Sequence, residues 1–260
     1  MSGQIYVRHP DHPNGSIELP IVHSDGRCIA AVKPVNLPCR VGKFSILNQV
    51  RANLQDSAVQ ALGIDYPGIV YDIECGLSGI FLLSKSKESM NILKNAYGSY
   101  LFELTFDLLC AESGSDKGQE IECSLPIAKH ATEDRMIISA KTGKKSRTTF
   151  NFIEKFGKYE HWQAKCTYLR RDQICLHACE VGLAVLGDGK YGKAKIPAFD
   201  ELKRNFKRNR KGNNELPYFG IMAHLSALKL PDGVRLRSEL PQKILVFMRL
   251  VLNSWERKKF

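Results

Sequence analysis

What most constrains this chain is its punctuation: short apolar runs recur along most of its length, each closed by Gly, Pro or Asp. Cys28–Val32, Ile80–Leu83, Tyr100–Leu109, Thr148–Glu154, Trp162–Tyr168 and Ala227–Leu230 have this form and are predicted strands. Apolar residues return every three or four positions in fewer places. Leu47–Leu54, Lys87–Ala96, Gln173–Val181, Phe199–Asn209 and Pro241–Trp255 are therefore predicted helices. Strands outnumbering helices, without regular βαβ alternation, predict an α+β fold: a central mixed, mostly antiparallel sheet with flanking helices and a cleft. With 260 residues, 43% of them hydrophobic, the chain can bury a substantial core.

Charge narrows the partners. A formal net charge of +11 makes a polyanion the expected ligand, because Lys and Arg that neutralise phosphates release counterions. No stretch approaches the run of about 18 apolar residues that a membrane span needs. The opening MSGQIYVRHPDHPNG has no apolar signal core, so a cytoplasmic protein is expected, with no membrane partner. Eight scattered cysteines without a C-x-x-C pair are read as reduced thiols.

The cations are unevenly spread. Between Lys193 and Lys211 lie eight basic residues against only Asp200 and Glu201. Phe199, Leu202 and Phe206 could pack one helical stripe on the body while Lys203, Arg204, Lys207 and Arg208 face outward, followed by Arg210 and Lys211. The plainer reading is a solvated helix and loop.

No P-loop, G-x-G-x-x-G, H-E-x-x-H or G-x-S-x-G motif is present. The order of weaker motifs is more informative. It runs from CIAAVKPVNLP (28–38) through IVYDIECGLSGIFLLS (69–84) and Tyr100–Leu104 to GKKSRTTFNFIEKFG (143–157) and LRRDQICLH (169–177). Gly187-Asp188 with Tyr191-Gly192, and His224 with Leu228, complete it. Over residues 20–232 this series resembles the RluA-like RNA pseudouridine synthases. The resemblance implies their fold and uridine-to-pseudouridine isomerisation in RNA without cofactor or metal. It also implies a flipped-out base, a catalytic carboxylate, a stacking tyrosine and a cation beside the carboxylate.

Carried over position by position, that resemblance places Glu74 where the family has its catalytic aspartate and Tyr100 at the tyrosine. Tyr97 is a second occupant for the tyrosine position. Asp72 stands where a base-flipping arginine is usual, Tyr71 replaces a histidine, and Cys175 takes the place of the arginine that holds the carboxylate. Gln173, Ile174 and His177 match as scaffold.

Each departure has a physical cost. Glu is longer than Asp by about 1.5 Å, where a 1 Å misplacement costs about 10²-fold in rate. A buried carboxylate without its cation becomes neutral and a poor nucleophile. Asp72 opposes phosphate. Arg170 or Arg171 could swing in to supply the missing charge.

Other residues read plainly. Asp72 and Glu74 would share a face of an extended segment, yet no His or third carboxylate lies near to complete a metal site. Cys166, Cys175 and Cys179 lack zinc spacing. Pairing Cys75 or Cys175 with His177 or His224 as a nucleophile has nothing in sequence to orient it.

The sequence thus predicts a single domain over 1–260, with a catalytic-like core at about 20–232, a basic insertion at 193–215 and a C-terminal helix at 241–256. It predicts a monomer that binds structured ribosomal or transfer RNA through Arg170, Arg171 and the basic insertion, with no nucleotide cofactor and no metal. Two readings of the pocket stand: isomerisation impaired or lost, or an active synthase using Glu74 with Tyr100. A module that meets an acidic protein partner is a third.

Overall fold

The structure, a computed structural model, describes residues 3–113, 118–202 and 220–256. In chain order the elements are β1 (Ile5–His9), β2 (His12–Leu19), β3 (Ile21–Ser24), β4 (Cys28–Lys33), α1 (Ile46–Ala52), α2 (Ser57–Gln60), β5 (Gly68–Ile69), β6 (Ser78–Ser84), α3 (Lys87–Gly98), β7 (Glu103–Ala111) and β8 (Glu120–Cys123). There follow β9 (Ile127–Lys129), β10 (Met136–Ile138), β11 (Thr148–Phe156), β12 (Tyr159–Cys166), α4 (Gln173–Glu180), β13 (Ala184–Val185), α5 (Phe199–Leu202), β14 (Ala223–Lys229), β15 (Arg235–Arg237) and α6 (Gln242–Glu256).

The predicted α+β architecture is observed. Its spine is a sheet in the order β3-β4-β6-β14-β7-β12-β11-β8, with β5, β13 and β15 attached at its sides. Only β6 and β14 run parallel; the other named strand pairs are antiparallel. That junction explains the Ser78-Gly79 dipeptide. Gly79 has φ +134°, and a Cβ on it would lie 2.4 Å from the backbone N of Leu225, so no larger residue fits. Ser78 Oγ meets Nδ1 of the buried His224 at 2.8 Å, and Ser238 Oγ meets Nε2 at 3.1 Å. Burial pushes the His224 imidazole down to about 4, so at neutral pH it is an uncharged strut between strands.

Alternation along β7 divides the molecule. Leu104, Phe106 and Leu108 enter the main core with Phe81, Phe150, Ile174 and Ala178, while Thr105 and Asp107 face the other way. At one end of that second face α6 lays Ile244, Phe247 and Val251 over Leu109, Phe156 and Tyr159, the stripe its spacing predicts. Phe247 meets Tyr159 edge-on at 5.3 Å.

The sequence reading passes over some elements. β1 and β2 form a separate hairpin, buried at Ile5, Val7 and Leu19, and are tied to α1 by Gln49, which accepts from the Arg8 N–H and donates to the Arg8 carbonyl. β9 and β10 form another small sheet. The strand expected from Tyr100 starts at Glu103; Tyr100 itself sits in the turn after α3 at φ +61°. Of the helix expected over 199–209, Phe199–Leu202 is present and the rest lies outside the described residues. No helix among the described residues is long and apolar enough to cross a membrane.

Candidate active site

The segment between β5 and β6 carries the motif carboxylates, and a two-residue alternation sets its orientation. Tyr71 and Ile73 are buried, Tyr71 donating its hydroxyl to the Ile80 carbonyl at 2.8 Å, so Asp72 and Glu74 turn away from the core. Lys33 holds the far end. Fully buried, its ammonium donates to the carbonyls of Leu77 at 2.5 Å, Pro34 at 3.2 Å and Cys75 at 3.4 Å, filling all three donors without a carboxylate. The Lys-Pro turn and the Glu74 segment are thereby one rigid unit.

Glu74 reaches the start of α4, where its Oε1 accepts the Asp172 backbone N–H at 2.5 Å. The residue as a whole is half-buried, but its carboxyl end lies beneath the Asp172 turn. Burial pushes that carboxyl up from 4.5 to about 8. The Asp172 charge pushes it further, while the Asp172 N–H, Lys190 and Lys33 oppose the shift.

Asp172 is the unexpected member. It is only 3% exposed and left-handed at φ +58°, a conformation that Asp tolerates better than most residues but that still carries strain. It caps α4 without a side-chain cap bond. Its Oδ2 instead accepts the Lys190 ammonium at 2.8 Å and the Tyr191 hydroxyl at 2.6 Å.

The turn presenting those two residues is built by Asp188, buried and accepting the N–H groups of Lys190 (2.9 Å), Tyr191 (3.1 Å) and Gly192 (3.0 Å). Gly187 precedes it at φ +83°, where a Cβ would lie 2.4 Å from the Gly220 carbonyl oxygen. The Gly-Asp…Tyr-Gly motif is a mould for Lys190 and Tyr191. Tyr191 also accepts the Met136 N–H at 2.9 Å, fastening β10 over the cluster.

Two human proteins share this architecture. RNA Pseudouridylate Synthase Domain Containing 4 superposes with a TM-score of 0.67 over 90% of this chain and 93% of its own, at 14% identity. RNA Pseudouridylate Synthase Domain Containing 1 gives 0.62 over 85% and 83%, at 17%. In sequence, the ribosomal large subunit pseudouridine synthase D of Haemophilus influenzae is 26% identical over 208 residues, 74% of this chain. That of Pseudomonas aeruginosa is 23% identical over 250 residues, 92% of this chain and 74% of its own. In sequence and in fold the chain is similar to the RluA-like pseudouridine synthases. No family model matches it, and the chain spans 60% of the length of the Haemophilus relative.

Cys175 is buried in α4 near Glu74, its thiol held protonated by burial and by the surrounding carboxyl groups, Asp172 and Asp188 among them. Neither arginine considered as a replacement cation pairs directly with Glu74. Arg170 lies 5.0 Å over the Tyr168 ring and donates Nε–H to the Lys145 carbonyl, whereas Arg171 pairs with Asp134 at 2.6 Å and also stands at the edge of the pocket, its Nε 4.0 Å from Asp172 Oδ1. The cation bound most closely in the pocket is Lys190, three residues before the basic stretch begins and missed because its partner, Asp172, is adjacent only in space.

Asp72 is exposed, with the Arg40 Nε 3.9 Å from its Oδ2, and Arg40 also donates to the carbonyls of Ile69 and Val70. Tyr100 is 54% exposed. Tyr97 is buried, stacked on Tyr168 at 4.6 Å, and accepts the Leu169 N–H at 2.6 Å; Phe102 closes on it edge-on. Tyr71, Tyr97, Phe102 and Tyr168 thus form an aromatic bridge between the Glu74 and Asp172 segments. Gln173 and His177 fasten α4 to Thr148, at 3.1 and 2.9 Å. Lys203, Arg204, Lys207, Arg208, Arg210 and Lys211 lie outside the described residues.

Among the described residues one trio, His23, Asp25 and Cys28, could gather around an ion. Its donors suit a metal poorly. Asp25 Oδ1 accepts the N–H groups of Arg27 and Cys28, the Arg27 guanidinium stands 3.6 Å from Oδ2, and burial pushes the Cys28 thiol up to about 12.

Proposed function

We propose that this chain is an RNA-binding protein on the pseudouridine synthase fold, acting on structured ribosomal or transfer RNA, with uridine isomerisation impaired or lost. The observation that carries this reading is the arrangement at Glu74. Its carboxyl faces the carboxylate of Asp172, and the nearby cation, Lys190, is already paired with Asp172. Burial and the neighbouring Asp172 carboxylate push the Glu74 carboxyl up to about 8 and favour its protonated form, which withdraws the anion that covalent or proton-abstracting chemistry on the nucleoside requires. The Haemophilus and Pseudomonas relatives are named as synthases of the ribosomal large subunit, which favours ribosomal RNA.

The test is pseudouridine mapping of RNA from cells lacking the gene, complemented with wild type or Glu74→Ala. The expected result is no site lost in the deletion, with both genes rescuing any growth or assembly defect equally. One site lost and restored by wild type alone would overturn the reading and make Glu74 catalytic.

A second reading, an active synthase using Glu74, draws support from the Asp172 N–H and Lys190, both of which favour the Glu74 anion. Its activity would rise with pH towards 8 as Glu74 ionises.

In the binding reading 1–260 acts as one unit, and the insertion at 193–215 supplies phosphate contacts. Reversing Lys203, Arg204, Lys207 and Arg208 to Glu is expected to weaken binding of a labelled ribosomal RNA hairpin more than about tenfold, with a shallower salt dependence. Filter binding across a salt series checks it; unchanged affinity would assign the insertion to solvent.

A further inference from the structure

The face of the sheet turned away from the Glu74 core is not fully covered. Beyond the end packed by α6, it opens into a groove of about 770 Å³ running across β15, β14, β7, β12 and β11. Strand register places its side chains in rows. Arg237 pairs with Ala227, Ala227 with Thr105, Thr105 with Lys165, and Lys165 with Thr149. A second row sets Arg235 beside Lys229 and Lys229 beside Glu103.

Within these rows Lys229 is paired with Glu103, but Lys165, Arg235 and Arg237 are exposed and have no carboxylate within 4.0 Å among the described residues. Between Arg237 and Lys165 lie three strand steps of about 4.8 Å, so the two cations stand roughly 14 Å apart with hydroxyl side chains between them. Thr105, Thr149 and Ser226 are half-buried there, with Ser226 donating its hydroxyl to the Thr105 carbonyl at 3.4 Å.

We infer that this groove is a second nucleic-acid site, a track that takes the phosphodiester backbone of an RNA strand on the face opposite the Glu74 pocket. The chemistry of the lining decides the ligand class. Cations at that separation with hydroxyl side chains between them match alternate phosphates of one strand and the 2′-hydroxyls between, and the carboxylates of the lining, Glu103 and Asp107, are already paired with Lys229 and His161. The lining has no aromatic ring on which a base could stack, so the track follows the backbone and is indifferent to sequence.

The inference rests on the RNA-binding reading, and its test separates the two. Fluorescence anisotropy of a labelled RNA hairpin and a labelled polyuridylate strand is measured for wild type, for Lys165→Glu/Arg235→Glu/Arg237→Glu, and for the charge-matched control Lys87→Glu/Lys94→Glu/Lys141→Glu on exposed residues elsewhere. The groove variant is expected to lose more than about tenfold in affinity for both RNAs, and the magnitude of its salt slope should fall by about 2. The control should stay within about twofold, and circular dichroism should be unchanged in both. Equal losses in groove and control variants, or wild-type affinity in the groove variant, would overturn the track while leaving RNA binding intact. If wild type binds neither RNA, the RNA-binding reading itself fails. Wild type preferring labelled polyglutamate, with that preference lost in the groove variant, would assign the groove to an acidic protein instead.

Discussion

Glu74→Gln is expected to make this protein more stable, by about 2–3 kcal/mol at pH 7, with the gain depending on pH. The folded carboxyl titrates near 8 against 4.5 in the ordinary state, so the native protein holds a proton that the unfolded chain releases between those values. A carboxyl raised on folding is neutral in both states below about pH 4.5 and costs nothing there. Above that, stability falls with rising pH by about 1.4 kcal/mol per unit until the folded group ionises near 8. Some of this is screened, because the residue is partly exposed, hence the lower figure. Glutamine keeps the oxygen that accepts the Asp172 N–H and removes the titration. Urea unfolding of both proteins at a series of pH values checks it: the curves should coincide near pH 4.5 and diverge towards 8. A variant less stable than wild type at pH 7 would mean that Lys190 holds Glu74 as an anion, and would favour an active pocket.

The largest loss is expected from Gly79→Ala. At φ +134° any side chain is strained, and the added carbon would meet backbone and side chain of Leu225 at 2.4–2.5 Å, atoms that cannot rotate away. β14 must then separate from β6 at their parallel junction, also pulling His224 from Ser78. Strain and overpacking together should cost more than about 3 kcal/mol, so the variant should be insoluble or strongly destabilised. Gly26→Ala, where a Cβ meets nothing within 4 Å, should stay within about 0.5 kcal/mol of wild type. Thermal melting of the two distinguishes a specific junction from general intolerance of side chains at glycines. A folded Gly79→Ala protein with wild-type melting would show that β6 and β14 can pair without this approach.

Both effects come from residues that motif order singled out, yet the reasons for them were legible to different degrees. The fold class followed from punctuation and periodicity, because whether a strand can form is decided within a few residues. β4, β6, β11, β12, α1, α3, α4 and α6 fall close to their expected spans, while β14 begins four residues before the strand expected at Ala227–Leu230. Tyr100 was harder, since the apolar run around it continues without a break into β7. The C-terminal turn of α3, with Ser99 donating its N–H to the Asn95 carbonyl, delays the strand and leaves Tyr100 outside. The buried ring at that point belongs to Tyr97.

The chain by itself determined the elements, the order of the motifs and the identity of the substituted positions, since composition, period and local sequence carry that information. Only the tertiary structure decided what those substitutions mean. Asp172 and Lys190, eighteen residues apart in sequence, meet because Asp188 and Gly187 fold the intervening turn back, and both reach Glu74 because α4 starts beneath the β5–β6 segment. The unpaired cations of the groove likewise come from two strands distant in sequence, Lys165 from β12 and Arg235 and Arg237 from β15, and only register brings them onto one face. Charge pairing and burial depend on distances of a few ångströms between remote segments, and those distances are fixed by packing rather than by any local pattern.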